Sequence, residues 1–291
     1  MKRSSLLFLL PLLVVSCGGG GDNDVSAWTD LIGRSWSTAA AVSDSYECTG
    51  LKVAQDMYIT GFRTQAASTS AGGTYRVMLG VDDNPTPTLG DFDCDAGVLS
   101  VNLIYASGLE TDELRFPAGV AVHVKAGQNL LLNVHLVTPA ASSGSTRIQV
   151  LTGAPVDAQH EVDMTFAGTT NISIVSDGKP HQTTGGCAAQ SDTNIFAMLP
   201  LMHGAGTHQA MYLNGVPVLD SDYSPSRQPF HVPASPIAIH QGDQILLTCG
   251  YVNNTGGTLI FGESPARETC YNGLYRTPVP ASATLYDCVS H

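Results

Sequence analysis

Basic residues are scarce in this 291-residue sequence, and charged residues of both signs make up only 13% of it. Lys and Arg together number 13, against 25 Asp and Glu, so the formal net charge at pH 7 is −12. Nucleic-acid binding needs a basic surface that neutralises phosphates. The composition therefore argues against nucleic acid as a partner.

Helical periodicity and long apolar runs are also missing. After residue 25, no segment keeps apolar residues at helical spacing over three turns. Instead, 30 Gly and 16 Pro separate short runs in which apolar and polar residues alternate. Such runs are typical of strands, and they include MYITGF, YRVMLGV, VAVHV, NLLLNVHLV, TRIQVL, QAMYLN and QILLTCGYV. Without crossover helices, they predict an all-β fold of antiparallel sheets packed as sandwiches.

A turn-rich segment divides these runs into two groups. The segment LTGAPVDAQH, at residues 151–160, has the composition of a linker, and the chain on each side is long enough for a sandwich. We therefore predict two tandem β-sandwich domains, at residues 46–152 and 153–291.

The first seventeen residues have the pattern of an export signal. Two basic residues precede an apolar run at residues 6–15, which is too short to span a bilayer. The run ends in VVSC, which resembles the lipobox of bacterial lipoproteins and implies a lipid on Cys17. Residues 18–45 would then be a flexible tether and lead-in, anchoring the protein to a membrane of the bacterial cell envelope. Gly18 favours the outer membrane, and an ordinary secretory signal with a chance cysteine is the alternative.

Six further cysteines, an even number in an exported chain, predict disulfide bonds. They are Cys48, Cys94, Cys187, Cys249, Cys270 and Cys288. Six cysteines allow fifteen pairings, and spacing alone does not select one. The absence of a CxxC pair disfavours a zinc ribbon.

Four segments occur in a distinctive order: MYITGF, FPAGVAVHVKAGQNLLLNVHLV, PLMHGAG and GDQILLTCGYVNNTGGTLIFGESPARETC. They resemble the copper type II, ascorbate-dependent monooxygenases, the family of the peptidylglycine α-hydroxylating and dopamine β-monooxygenases. The resemblance covers about residues 46 to 288. It implies two jelly-roll-like sandwiches, with disulfides Cys48–Cys94, Cys187–Cys288 and Cys249–Cys270.

Active members of that family hold one copper in each domain, facing each other across a solvent-filled cleft, and hydroxylate a C–H bond. The resemblance implies three His ligands for the first copper, and two His and one Met for the second. In this chain the six ligand positions hold Tyr75, Arg76, His135, Leu201, His203 and Thr269. One expected ligand therefore remains at each site, and the cation of Arg76 opposes a metal ion.

Nearby residues offer a replacement site. A turn through residues 204–206 would bring His208 back to His203, and Met202 would complete a set that suits copper, because Cu(I) accepts imidazole and thioether ligands. The alternative is that His203 lines a cleft that binds no metal. Alternation along its strand places His135 opposite the most apolar face, which predicts a solvated side chain.

Three functions follow from these observations. The ligand losses favour an exported lipoprotein that is not catalytically competent and binds an unknown ligand in the interdomain cleft. The second is a copper- and ascorbate-dependent monooxygenase with relocated ligands. The third is a single-copper-binding protein that uses His203 and His208.

Overall fold

The computed structural model describes residues 27–39, 43–68, 73–83, 87–94, 102–264 and 266–291. The predicted signal, Cys17 and the beginning of the predicted tether lie outside the described residues. The described part is all-β, with 21 strands and no helix. None of its residues forms a helix long and apolar enough to cross a membrane.

The described residues of the first half of the chain, up to residue 152, form two sheets. Its strands are β1 (Thr29–Thr38), β2 (Ser43–Lys52), β3 (Met57–Ser68), β4 (Gly73–Asp82), β5 (Gly90–Cys94), β6 (Asn102–Ser107), β7 (Leu114–Arg115), β8 (Val122–Val124), β9 (Asn129–Thr138) and β10 (Ser142–Thr152). One sheet has the order β1-β10-β3-β7, with β8 also paired to β3, and the other has the order β5-β2-β9-β4-β6.

The second half begins at residue 153 and contains three sheets. Its strands are β11 (Asp163–Thr169), β12 (Ser173–Ile174), β13 (Pro180–Ala188), β14 (Thr193–Leu201), β15 (Gly206–Leu213), β16 (Val216–Asp222), β17 (Ile237–Ile239), β18 (Gln244–Val252), β19 (Leu259–Ile260), β20 (Cys270–Thr277) and β21 (Cys288–Ser290). The orders are β17-β14-β20-β11-β21, β13-β18-β15-β16 and β12-β19. Among the described strand pairs, only β11 and β21 run parallel.

Alternating side chains explain why these segments form strands. In β9, Leu130, Leu132, Val134 and Leu136 share one face and are fully buried in the first half. Each of the seven predicted segments overlaps a strand, and QILLTCGYV coincides with β18. The predicted all-β, antiparallel fold is confirmed.

The strand β1 revises the predicted lead-in at residues 18–45. Its ten residues pair with β10, and the side chains of Ile32 and Trp36 are buried. The indole Nε1 of Trp36 donates to Thr146 Oγ1 at 3.1 Å. Two apolar residues four positions apart in a polar segment do not give the alternation that predicts a strand. The later part of the lead-in is therefore a sheet edge.

Three disulfides are formed, with the pairing that the family resemblance implied. Cys48–Cys94 joins the neighbouring strands β2 and β5 of one sheet. Cys187–Cys288 and Cys249–Cys270 each join the two larger sheets of the second half. Loops of these lengths predict a stabilisation of roughly 3–5 kcal/mol for each bond from chain entropy.

Aromatic side chains pack across the boundary between the halves. The ring of Phe116 lies 5.2 Å from that of Phe196 and 5.9 Å from that of Tyr275, and the ring of Tyr105 lies 6.3 Å from that of Phe230. All five belong to, or pack against, one apolar core that contains residues of both halves. Apolar packing therefore fills this part of the boundary, in contrast to the solvent-filled cleft that the resemblance implied.

Candidate functional site

Arg76 reaches from β4 of the first half into the second half. Its guanidinium is buried, with Nη1 3.2 Å from His203 Nε2 and Nη2 donating to the carbonyl of Met202 at 2.9 Å. These contacts join two of the predicted copper-ligand positions, one from each half. We call the cluster around Arg76 and His203 the Arg76 joint.

A β-bulge in β4 brings Tyr75 to the same place. Thr74 pairs with Leu136 and Arg76 pairs with His135, so Tyr75 is an extra residue in the strand. Consecutive side chains of a regular strand point to opposite faces, whereas a bulge re-aims them. The Tyr75 ring therefore lies 5.2 Å from the His135 ring and 6.2 Å from the His203 ring.

Both ring nitrogens of His203 are occupied. Nδ1 lies 3.0 Å from the carbonyl oxygen of Arg267, and because a carbonyl only accepts, Nδ1 carries the proton. Nε2 then accepts from Arg76, through the lone pair that a metal ion would need. Burial and the charge of Arg76 lower the pKa of His203 to about 3. His203 is therefore a neutral acceptor at physiological pH.

Glu268 fixes the backbone next to His203. Its buried carboxylate accepts hydrogen bonds from the backbone N–H of His203 at 2.9 Å and of Ala205 at 2.7 Å. Burial raises the pKa of Glu268, against the effect of these hydrogen bonds. The hydroxyl of the neighbouring Thr269 donates to the carbonyl of Leu201 at 3.1 Å. Leu201 and Thr269, the other two second-site positions, therefore contribute packing and a hydrogen bond.

His135 is buried, and the predicted solvated side chain is wrong. Its ring stacks on Tyr46 with centroids 4.3 Å apart, and its Nε2 lies 2.7 Å from Asp44 Oδ1. The second half covers this face, because Tyr46 donates to the carbonyl of Glu263 at 3.1 Å and Ser264 donates to Asp44 at 3.4 Å. Burial lowers the pKa of His135, while Asp44 opposes this shift.

A small cavity remains inside the joint. Its volume is about 10 Å³, and it is lined by Tyr46, Arg76, Met78, Asn133, His135 and Glu263. Arg76 Nε is buried and has no hydrogen-bond partner among the described residues. A cavity of this size holds about one water molecule, which would satisfy such a donor. The space is too small for an organic substrate.

His208 lies elsewhere. It is on β15, where its Nε2 is 2.8 Å from Asp220 Oδ1 and its side chain is 36% exposed. The side chain of Met202 is buried in the apolar core of the second half, so only its backbone reaches the joint. Over the part of the chain that the structure describes, His203 and His208 bond to different partners, and no three His, Cys, Asp or Glu residues form a metal-binding group.

The structure thus brings together the six positions that the resemblance assigned to two copper sites, but it does not add His208. Asp44, Tyr46, Glu263 and Glu268 are members of the site that the sequence did not indicate. The one available signal was the pair of acidic residues in the segment GESPARETC. The two remaining imidazoles are hydrogen-bonded to a carboxylate and to a cation, so the residues present do not fit copper in this arrangement.

Comparisons with known proteins leave the family open. No protein-family model matches the chain, and no curated protein matches it. One solved structure, of an anti-sigma factor domain-containing protein, aligns over 87% of this chain and 91% of its own at 12% identity, with a TM-score of 0.20. A similarity at that TM-score carries no argument about fold or function.

Proposed function

We propose that this chain is an exported, lipid-anchored protein of the bacterial cell envelope that works by binding and not by copper-dependent oxidation. On this proposal, it keeps two jelly-roll-like sandwiches of the copper type II monooxygenase kind. The observation that carries the proposal is the hydrogen bond between Arg76 and His203 Nε2. A guanidinium holds the lone pair that copper would need.

Energetics support the proposal. A copper ion at His203 would have to displace Arg76, a buried cation whose other partner is the carbonyl of Met202. Leaving one buried charge without its partners costs about 3–5 kcal/mol, and a second cation nearby adds repulsion. At the first site, His135 is the one ligand, beside Tyr75 and Arg76. The joint is therefore better suited to hold the halves together than to bind a redox metal.

Support for a ligand between the halves comes from a groove on another side of the boundary. It has a volume of about 310 Å³, and both halves line it, with His123 and Val122 on one side and Glu161 and Met164 on the other. His123 stacks on Tyr58 and lies 2.9 Å from Glu161 Oε1, so the groove wall is ordered.

Metal content tests the proposal directly. The full chain would be loaded with Cu(II) and ascorbate and desalted, and its copper content and ascorbate-dependent oxygen uptake measured. We expect no stoichiometric copper and background oxygen uptake. Stoichiometric copper that disappears in both His203→Ala and His208→Ala, but persists in the exposed control His240→Ala, would instead establish a single-copper protein. Stoichiometric copper with oxygen uptake above that of the same amount of free copper would overturn the proposal and favour the monooxygenase.

A further inference from the structure

A second enclosed space, separate from the cavity in the joint, lies inside the second half. It has a volume of about 150 Å³ and opens between the two larger sheets, next to the disulfide Cys187–Cys288. None of its lining residues belongs to the Arg76 joint. We call this space the inter-sheet pocket.

Four aliphatic side chains form an apolar part of the wall of the inter-sheet pocket. Ile195 and Leu274 come from one sheet, Ile245 comes from the other, and Ile239 lies on the short edge strand β17. All four side chains are buried. Ala189 and several polar side chains, among them Thr165 and Gln190, complete the lining. The isoleucine and leucine side chains favour a ligand with an apolar body.

One end of the pocket is polar and ordered. Arg276 donates through Nε and Nη2 to the two carboxylate oxygens of Asp163, each at 2.9 Å, and through Nη2 to Asp287 at 2.7 Å. None of these bonds uses Nη1. Fixed in this way, Arg276 offers the N–H donors of Nη1 to an acceptor on a ligand.

The charges at this end select against an ionic ligand. Two carboxylates flank one guanidinium, so an anionic group would meet a net negative environment. Asp163 and Asp287 already accept hydrogen bonds from Arg276. A cationic group on a ligand would have to compete with Arg276 for these carboxylates. The end therefore suits an uncharged hydrogen-bond acceptor.

We propose that the inter-sheet pocket binds a small uncharged molecule with an apolar body of about benzene size and one hydrogen-bond acceptor, which accepts from Arg276 Nη1. Cavities of this volume with aliphatic walls hold benzene in other proteins. The disulfide and the paired sheets define the pocket before binding, so little ordering opposes the ligand. This site does not depend on whether the Arg76 joint binds copper.

A matched series of probes tests the ligand class. Acetophenone carries the apolar body and one carbonyl acceptor, ethylbenzene lacks the acceptor, benzoate adds a negative charge, and 2-acetonaphthone is larger. Binding to the full chain would be followed by ligand-observed NMR titration. We expect acetophenone to bind, and ethylbenzene and benzoate to bind about tenfold or more weakly. No binding of acetophenone, or equal binding of benzoate, overturns the proposal.

Two variants test whether acetophenone binds in the inter-sheet pocket. Ala189→Phe places a ring in the pocket while the backbone N–H of Ala189 keeps its bond to the carbonyl of Asp243 at 2.8 Å. We expect it to abolish acetophenone binding, whereas Ala238→Phe, on the exposed face of β17, should not change it. Acetophenone affinity that is unchanged in folded Ala189→Phe contradicts the assignment.

A pocket-enlarging variant covers the case in which Ala189→Phe does not fold. Ile239→Ala removes atoms from the pocket wall, so it should admit 2-acetonaphthone, which the native pocket excludes by size. If the size preference is the same in the native chain and in Ile239→Ala, the ligand binds elsewhere and the proposal fails.

Discussion

Arg76 and Arg276 are both buried arginines, but their partners differ in charge. Arg276 lies within the second half and forms ion pairs with Asp163 and Asp287. Burial opposes its charge, yet these two carboxylates raise the pKa of Arg276 above its ordinary value. Arg76 crosses between the halves and bonds to a neutral imidazole and a carbonyl. The first arrangement neutralises a charge, whereas the second uses a charge to hold two neutral acceptors in place.

The comparison teaches that burial of an arginine has two different consequences for its neighbours. Around Arg276, loss of the cation leaves two partly buried carboxylates without their counter-charge. Around Arg76, loss of the cation leaves two neutral hydrogen-bond acceptors unpaired, and it removes a charge that acts together with burial to lower the pKa of His203. Four measurements separate these consequences, in order of decreasing expected effect.

Arg276→Met should have the largest effect on stability. It leaves the partly buried carboxylates of Asp163 and Asp287 without their cation, which costs up to about 3–5 kcal/mol in the free energy of unfolding. Urea unfolding followed by circular dichroism measures the change. Arg227→Met, at an exposed arginine, is the control and should change the free energy by less than about 0.5 kcal/mol. A loss below about 1 kcal/mol in Arg276→Met would contradict the ion-pair assignment.

Arg76→Met should destabilise the chain by about 1–3 kcal/mol, less than Arg276→Met, because the hydrogen-bond partners of Arg76 are the neutral acceptors of His203 and Met202. The same urea experiment measures it. Arg76→Lys is the matched variant, since it keeps the charge but not the fork that reaches both acceptors. A loss as large as that of Arg276→Met would show that Arg76 is instead paired with buried carboxylates.

The pH dependence of stability should reveal the lowered pKa of His203. Its pKa is about 3 in the folded chain, below the ordinary value of 6.5, so between these pH values the unfolded chain binds more protons. Stability therefore falls as the pH falls through this window, by up to about 1.4 kcal/mol per pH unit from this group. His203→Gln should remove that contribution, which urea unfolding at several pH values measures as a shallower slope. His208→Gln should keep the native slope, and an unchanged slope in His203→Gln would contradict the assignment.

His208→Ala should have the smallest effect. Its bond to Asp220 is exposed, and exposed ion pairs contribute about 0–1 kcal/mol. We expect a change in the free energy of unfolding of less than about 0.5 kcal/mol. His203→Ala, in which Arg76 loses an acceptor, is the comparison and should cost more. Equal losses for the two variants would contradict the placement of His203, but not His208, in the Arg76 joint.

The sequence predicted the strands in which apolar and polar residues alternate. Alternation in β9 and β18 predicts both strands, because each has one face against a core. It does not predict β1, whose burial depends on two apolar residues, Ile32 and Trp36. The disulfide pairing came from the family resemblance, since the spacing of the cysteines left fifteen pairings open.

The candidate site was predicted only in part, because its composition depends on contacts between distant segments. The positions 75, 76, 135, 201, 203 and 269 came from the resemblance, and the structure joins them. The burial of His135 results from Glu263 and Ser264, and the contact of Tyr46 with Glu263 spans 217 residues of sequence. No local pattern around His135 contains that information, so alternation alone assigned it to solvent.

Because of the bulge in β4, the joint depends on the number of residues in this strand as well as on which side chains it carries. Most single substitutions near residue 75 leave the strand register unchanged. Deleting Thr74 would instead restore a regular ladder and place Tyr75 opposite Leu136, on the core face of the sheet. Tyr75 would then lose its ring contacts with His135 and His203. A change of one residue in length at this position would therefore remove contacts between the halves that depend on the bulge.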